Sequence, residues 1–287
     1  MLISVVIPTY NSKNFLMKAL DSVIKQSSID IEIIIIDNGS SDGTYQFVTD
    51  NYPYLKIERN DINMGSSAAR NQGIAISRGK FIMFMDCDVQ LCKDFFSKFS
   101  EIIKQMPKDI DAISPKIVNK TTGKLFSCGL KISSIYRVYD IGRNRTIDDF
   151  IQSIRIDGPN SCCAIFKRGC LDKIKEHNYF DEDFFFLFED ADLALRLKNK
   201  GFKAFFYPEL ICYHKEGSSA FTKEFRSFLC YRNRWYMILK NKKGLGLVMF
   251  ILKSSFYDFP RTIYFAITNS YFLKALKNIY RVFKSKK

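Results

Sequence analysis

Apolar runs of strand length alternate with helically spaced segments through the first hundred residues. Residues 2–7 predict a strand, and residues 13–25 place Phe15, Leu16, Ala19, Leu20 and Val23 at helical intervals. Residues 31–36 are almost all isoleucine, which suits a strand buried on both faces of a parallel sheet. Residues 44–51 read as a helix, 55–58 as a short strand, 66–77 as a helix and 80–85 as another apolar strand. Alternation of this kind predicts an α/β class domain with a doubly wound, mostly parallel sheet.

The middle of the chain is less regular. Residues 110–118 predict a strand, and residues 120–139 a hairpin or excursion around Thr122-Gly123. Residues 140–157 are polar and fit no period. A short strand follows at 162–166. Residues 188–199 form a helical pattern through Ala191, Leu193, Ala194, Leu195 and Leu197, stopped by Lys200-Gly201. Residues 202–207 then predict a strand closed by Pro208.

At residue 221 the character changes to aromatic and basic, dividing the chain into a body of residues 1–220 and an extension of residues 221–287. The longest apolar run there, 245–252, is broken by Lys253, well short of the ~20 residues a spanning helix needs. Farther on, Phe272, Leu276, Ile279 and Phe283 fall on one helical face, with Lys274, Lys277, Arg281 and Lys284 toward the other. That pattern predicts a basic amphipathic helix lying in a membrane interface.

Charge sharpens this division. The formal net charge is +14, and the extension holds 15 Lys and Arg against only Glu224 and Asp258, so the body is almost neutral. A basic end implies an anionic partner. Nucleic acid would account for the charge but not for the apolar stripe, so the expected partner is an anionic membrane surface and not nucleic acid. The eight cysteines form no C-x-x-C pair and read as small buried thiols of a reducing compartment. Met1 leads straight into the first strand with no secretory pattern, so the expected location is cytoplasmic, peripheral on the inner face of the cell membrane.

Three predicted strands end in polar clusters: Pro8-Thr9-Tyr10-Asn11, Asp37-Asn38-Gly39-Ser40-Ser41-Asp42 and Asp86-Cys87-Asp88. Nucleotide sites in open α/β sheets form outside such strand ends. No G-x-G-x-x-G follows the first strand and no P-loop occurs, so a bound diphosphate needs another source of positive charge. Carboxylates holding Mn²⁺ or Mg²⁺ supply it, and Asp86 and Asp88 are placed to grip ribose and metal together.

These clusters, with Asn63-Met64-Gly65 and Ala69-Arg70-Asn71, resemble glycosyltransferase family 2 in order and spacing over roughly residues 1–220. The resemblance implies a GT-A fold and a metal-dependent, inverting transferase. It implies a nucleotide-sugar site made of Pro8, Tyr10, Asn11, Asp37, Asn38, Ser40, Asn63, Arg70 and Asp86. Tyr10 and Asp37 would contact the base, Arg70 would sit near the base or diphosphate, and Asp86 would bind ribose. Asp88 would ligate the metal, with His214 completing its shell. An acid of the Glu189-Asp190 pair would be the general base, Asp190 first and Glu189 next. The segment Asp157-Gly158-Pro159-Asn160-Ser161 resembles the family's donor-sugar wall, and Tyr231-Arg232-Asn233-Arg234-Trp235 resembles rhamnosyl- and related transferases. The implied donor is a UDP- or dTDP-sugar and the implied acceptor a lipid-linked molecule or glycan, in surface polysaccharide or lipopolysaccharide assembly. Cys87 between the two aspartates would make activity sensitive to oxidation. The rival readings are a sugar nucleotidyltransferase, which usually carries a Gly-rich basic loop that Pro8-Thr9-Tyr10-Asn11-Ser12 is not, and a non-catalytic membrane-associated scaffold.

Overall fold

A computed structural model describes residues 2–26, 29–217 and 221–284. In chain order the first half runs β1 (Leu2–Thr9), α1 (Lys13–Ile24), β2 (Asp30–Asp37), α2 (Thr44–Asn51), β3 (Lys56–Arg59), α3 (Gly65–Ile76), β4 (Phe81–Met85), β5 (Val89–Leu91), α4 (Phe95–Gln105) and β6 (Ile110–Asn119). Three short strands follow, β7 (Leu125–Ser127), β8 (Leu130–Ile132) and β9 (Val138–Asp140). The rest comprises β10 (Ile154–Ile156), β11 (Cys163–Lys167), α5 (Arg168–Ile174), α6 (Glu189–Asn199), β12 (Lys203–His214), α7 (Lys223–Asn241), α8 (Gly244–Thr268) and α9 (Phe272–Lys284).

The main sheet has the order β10-β12-β6-β11-β4-β1-β2-β3. β3, β2, β1 and β4 are parallel neighbours, and β6 pairs parallel with β12. β11 lies antiparallel between β4 and β6. Since β11 opposes both neighbours, the strands on either side of it run the same way, and the sheet is mostly parallel. Its isoleucine-rich centre is buried on both faces: Ile33 and Ile35 pack with α1, while Ile34 and Ile36 pack against Ala69 of α3. Burial on two faces is what a run without polar alternation requires.

Two segments depart from the expected pattern. The strand predicted to close at Pro208 instead continues to His214 as β12, and its pairing with β6 shifts register between Tyr207 and Ile211. A proline lacks the ladder N–H, and a register irregularity is where a strand tolerates it. The polar segment 140–157 holds a capped 3₁₀ turn at Ile147–Asp149 and then β10, which pairs with β12.

The register of the parallel strands decides where their ends fall. Thr9 stands opposite Asp37, and Asp37 opposite Arg59. The polar clusters after β1, β2 and β4 therefore emerge at one edge. α7 lies against α9, and Phe228, Leu229 and Tyr231 of α7 pack with Phe265 and Ala275. The face predicted to be apolar in α9 is split: Phe272 and Ile279 turn inward with Ala275 and Val282, while Leu276 and Phe283 stay exposed.

Candidate active site

A pocket opens at the carboxyl edge of the sheet. Its walls include Pro8, Thr9 and Tyr10 after β1, Asn38 after β2, Asn63, Gly65, Ser66 and Arg70 of the α3 region, and Asp86, Cys87 and Asp88 after β4. Asn160, Ser161 and Cys162 form another side, Glu189 and Asp190 enter from the start of α6, and His214 from the end of β12. Phe186, Leu187, Phe188, Phe221 and Arg226 complete an aromatic rim.

Six of the nine expected nucleotide-binding residues, Pro8, Tyr10, Asn38, Asn63, Arg70 and Asp86, line this pocket. The other three, Asn11, Asp37 and Ser40, form the hydrogen-bonded turn beside it. Asp37 is fully buried, accepts from the Ser40 hydroxyl and amide, and pairs with Arg59 at 3.4 Å. Burial raises its carboxyl above the ordinary aspartate range. Asn11 Oδ1 accepts from Ser41 N at 2.8 Å, which ties the β1 and β2 clusters together.

Arg70 is neither a surface residue nor freely solvated. It is 2% exposed and bridges two segments far apart in sequence, donating to Glu189 Oε1 at 2.6 Å and to Asp86 Oδ1 at 2.8 Å. Its Nη2 also reaches the Ser161 carbonyl at 3.4 Å. A buried guanidinium that gives one nitrogen to each of two carboxylates holds strand end and helix start in one geometry. Asp86 keeps 28% of its side chain open to the pocket. Confinement pushes its carboxyl up to about 6, against the opposing pull of Arg70.

Glu189 and Asp190 are separated in role by what they touch. Glu189 accepts from Arg70 and from Ser66 Oγ at 3.1 Å, and its Oε2 is buried without a hydrogen-bond partner among the described residues. Asp190 accepts backbone N–H groups from Ala191 at 2.8 Å and, weakly, Ser161 at 3.4 Å. Burial, then the neighbouring Glu189 and Asp140 charges, push the Asp190 carboxyl up to about 7. A carboxylate poised near neutrality in a pocket is suited to taking a proton.

The third group is Asp86, Asp88 and His214, whose possible ligand atoms all lie within 4.8 Å of one another. His214 Nε2 is 3.3 Å from Asp88 Oδ2, and that carboxylate raises the imidazole above its ordinary value even though burial opposes it. His214 Nδ1 is buried without a partner among the described residues. Two carboxylates and an imidazole, converging in a pocket also lined by Glu189, Asp190 and Glu216, fit a divalent cation of the Mg²⁺ or Mn²⁺ kind. His214 lies beyond the strand end expected at Pro208; it is the last residue of β12, held edge-on against Phe126 at 4.4 Å.

The surroundings of Cys87 work against the expected sensitivity to oxidation. Burial, with Asp88 nearby, pushes its thiol up to about 12, which disfavours the reactive thiolate. Iodoacetamide at pH 8 should therefore label Cys87 far more slowly than a free thiol, as mass spectrometry of the digested protein would report.

Sequence reasoning left unread the loop that carries the α6 carboxylates. Phe185, Leu187 and Phe188 all have left-handed φ values, 64°, 67° and 69°, each costing roughly 1–3 kcal/mol for a non-glycine residue. Asn233 of α7, fully buried, donates to the carbonyls of Phe184, Phe186 and Leu187 at 2.9, 2.9 and 2.7 Å. Arg232 Nη2 donates to the carbonyls of Asp183 and Phe184. On the other side, Phe185 O accepts from Ser67 N at 3.3 Å, and a Cβ on Gly65 would lie 2.3 Å from that oxygen. Gly65 itself has φ +85°, so both its conformation and its contact exclude a side chain. The only sequence signal for this was the Tyr231–Trp235 motif and the Asn63-Met64-Gly65 cluster.

The fold is an α/β sheet with a pocket at its strand ends, where Asp86, Asp88 and His214 could hold a metal ion. Glycosyl transferase family 2 matches residues 4–175, more than half of the chain, and the chain belongs to that family. Glycosyltransferase GlyA of Streptococcus pneumoniae is 32% identical over 142 residues, covering 48% of this chain and 20% of that protein. Poly(ribitol-phosphate) beta-N-acetylglucosaminyltransferase TarS of Staphylococcus aureus is 31% identical over 121 residues, covering 40% of this chain and 21% of TarS. The chain thus spans only a fifth or so of the length of these relatives. Among solved structures, Staphylococcus aureus TarS in complex with UDP-GlcNAc superposes with a TM-score of 0.58 at 18% identity, covering 98% of this chain and 81% of that one. A mannosyltransferase from Pyrobaculum calidifontis in complex with GDP-Man and Mn²⁺ gives a TM-score of 0.58 at 15% identity, covering 98% and 73%. These likenesses establish the GT-A fold.

Proposed function

We propose that the chain is an inverting glycosyltransferase that moves a sugar from a UDP- or dTDP-sugar to the hydroxyl of a lipid-linked or glycan acceptor. The observation that carries this reading is the sharing of one pocket by a carboxylate pushed up to about 7, Asp190, and by the cluster Asp86, Asp88 and His214. Asp190 takes the acceptor proton as the acceptor oxygen forms its bond to the anomeric carbon. The bond from that carbon to the diphosphate oxygen breaks, and its electron pair leaves with the diphosphate. Asp88 and His214 would hold Mn²⁺ or Mg²⁺, which when bound offsets negative charge on a diphosphate. Asp86 accepts ribose hydroxyls, and Arg70 keeps Asp86 and Glu189 at fixed separation. The UDP-GlcNAc complex of TarS supports a uracil donor, while the GDP-Man complex of its fold neighbour makes the base a matter for experiment.

The aromatic rim of Phe186, Phe188 and Phe221 suits an acceptor with an apolar portion. With the basic extension, this favours surface polysaccharide or lipopolysaccharide assembly at the inner face of a membrane. No helix among the described residues is long and apolar enough to cross one.

A panel of UDP- and dTDP-sugars, with and without Mn²⁺, tests the reading. One donor should release its nucleoside diphosphate in a metal-dependent way, and Asp88→Ala should lower that release by about 10²-fold or more. Folded protein that neither binds nor turns over any donor would point to a scaffold. Condensation of a sugar phosphate with a nucleoside triphosphate would point to a nucleotidyltransferase.

A further inference from the structure

α8 exposes an apolar row along its whole length. Val248, Leu252, Phe256, Phe259, Ile263 and Ile267 recur at intervals of three or four, and Phe256 is 94% exposed. The opposite face, Phe250, Ser254, Asp258 and Phe265, is the one turned into the protein. From Val248 to Ile267 the row is roughly 30 Å long, and contiguous apolar surface of that extent is uncommon on a solvated monomer. On α9, Leu273, Leu276 and Tyr280 are exposed as well.

The charges around this surface are of one sign. Lys243, Lys253, Arg261, Lys274, Lys277 and Arg281 are all exposed. The two acids of the region are engaged: Asp258 is buried in a two-bond pair with Arg234, and Glu224 accepts from Ser270 N at 2.9 Å. A second copy would set cations against cations. A bilayer with anionic headgroups offers both an apolar interior and the complementary charge.

We propose that the outward face of α8, and not the α9 stripe read from the sequence, is the surface that inserts in the plane of an anionic lipid bilayer. This rests on the membrane-side reading of the function above and specifies how the chain meets that membrane. The placement also links docking to the site. Phe265 of α8 and Phe228 and Tyr231 of α7 share one cluster with Phe185, Phe186 and Leu187, the loop at the pocket rim.

Flotation of the full chain with vesicles tests it, using phosphatidylcholine alone and phosphatidylcholine with about one-third phosphatidylglycerol, at ~0.1 M salt. The native chain should float with the anionic vesicles and only weakly with the neutral ones. The combined Leu252→Ser, Phe256→Ser and Phe259→Ser variant should lose ~10-fold or more of that partitioning, with donor release in vesicle-free solution unchanged. A Lys253→Gln, Lys274→Gln, Lys277→Gln and Arg281→Gln variant should lose its preference for anionic vesicles. Native protein that stays unbound, or a triple serine variant that floats as well as native, overturns the proposal. So does a native dimer that the serine variant dissolves, which would make a second copy the occupant. Donor release is read separately, so its absence in every variant would sink the transferase reading while the flotation result stood.

Discussion

Replacing Asp190 with Asn is expected to lower transfer to an acceptor by about 10²–10⁴-fold, with donor binding retained. The amide keeps the shape of the side chain and still accepts a backbone N–H, but it cannot take a proton. Slow hydrolysis of the donor should survive, because water needs less help than a positioned acceptor. The pH profile separates loss of a base from loss of structure. Asp190 is pushed up to about 7 by burial and by the Glu189 and Asp140 charges. Native transfer should therefore fall as pH drops through about 7, and this limb should be missing from whatever rate the Asn variant retains. Stability carries the opposite sign. A carboxyl whose folded value lies above its unfolded one is destabilising when ionised, fully so above about pH 7 and not at all below the unfolded value. The Asn variant should thus be more stable than native at pH 8, with the gap closing toward pH 4. Urea titrations at both values would measure it, and a variant destabilised at pH 8 would contradict the assignment.

Asn233→Ala is expected to be the most disruptive single change outside the pocket. It strips the carbonyls of Phe186 and Leu187 of their side-chain donor, while Phe184 O keeps Arg232 and the Phe186 amide, and each group left unsatisfied costs roughly 1–3 kcal/mol. A loss of about 2 kcal/mol or more is the expected result in chemical denaturation. Strain makes the effect local as well as global. The left-handed residues Phe185, Leu187 and Phe188 lead directly into Glu189 and Asp190. Without Asn233 the loop should relax and carry the carboxylates off Arg70 and out of the pocket. Donor release should then fall even in the folded fraction. Asn233→Asp should not rescue, because an acceptor-only carboxylate would face carbonyl oxygens. A variant with native stability and native turnover would show that the loop holds itself.

Much of the site was legible because its chemistry is concentrated at strand ends. The isoleucine-rich β2 and the apolar β1 and β4 announce a parallel sheet, and the clusters after them carry Tyr10, Asn38, Asp86 and Asp88 to one edge. His214 was assigned to the metal side on family likeness, beyond a strand expected to close at Pro208. Pro208 ordinarily ends a strand, and only the register shift against β6 lets β12 run on to place that imidazole beside Asp88. Arg70 was assigned to the donor on family likeness. Its burial between Asp86 and Glu189, 16 and 119 residues away along the chain, appears only when α3, β4 and α6 are brought together.

The C-terminal helices divide in the same way. Their charge and aromatic content could be counted along the chain, and their helical period could be read there. Which face of each helix is covered could not, because periodicity does not say which neighbour arrives. α7 takes Phe272 and Ile279 of α9 inward and leaves the long row on α8 outside. The sequence by itself determined the α/β class, the strand-end clusters and the basic end, since these follow from local period, turn chemistry and charge. The tertiary structure alone decided the Arg70 bridge, the Asn233 clamp and the exposed face of α8, because each depends on contacts between segments that local pattern does not relate.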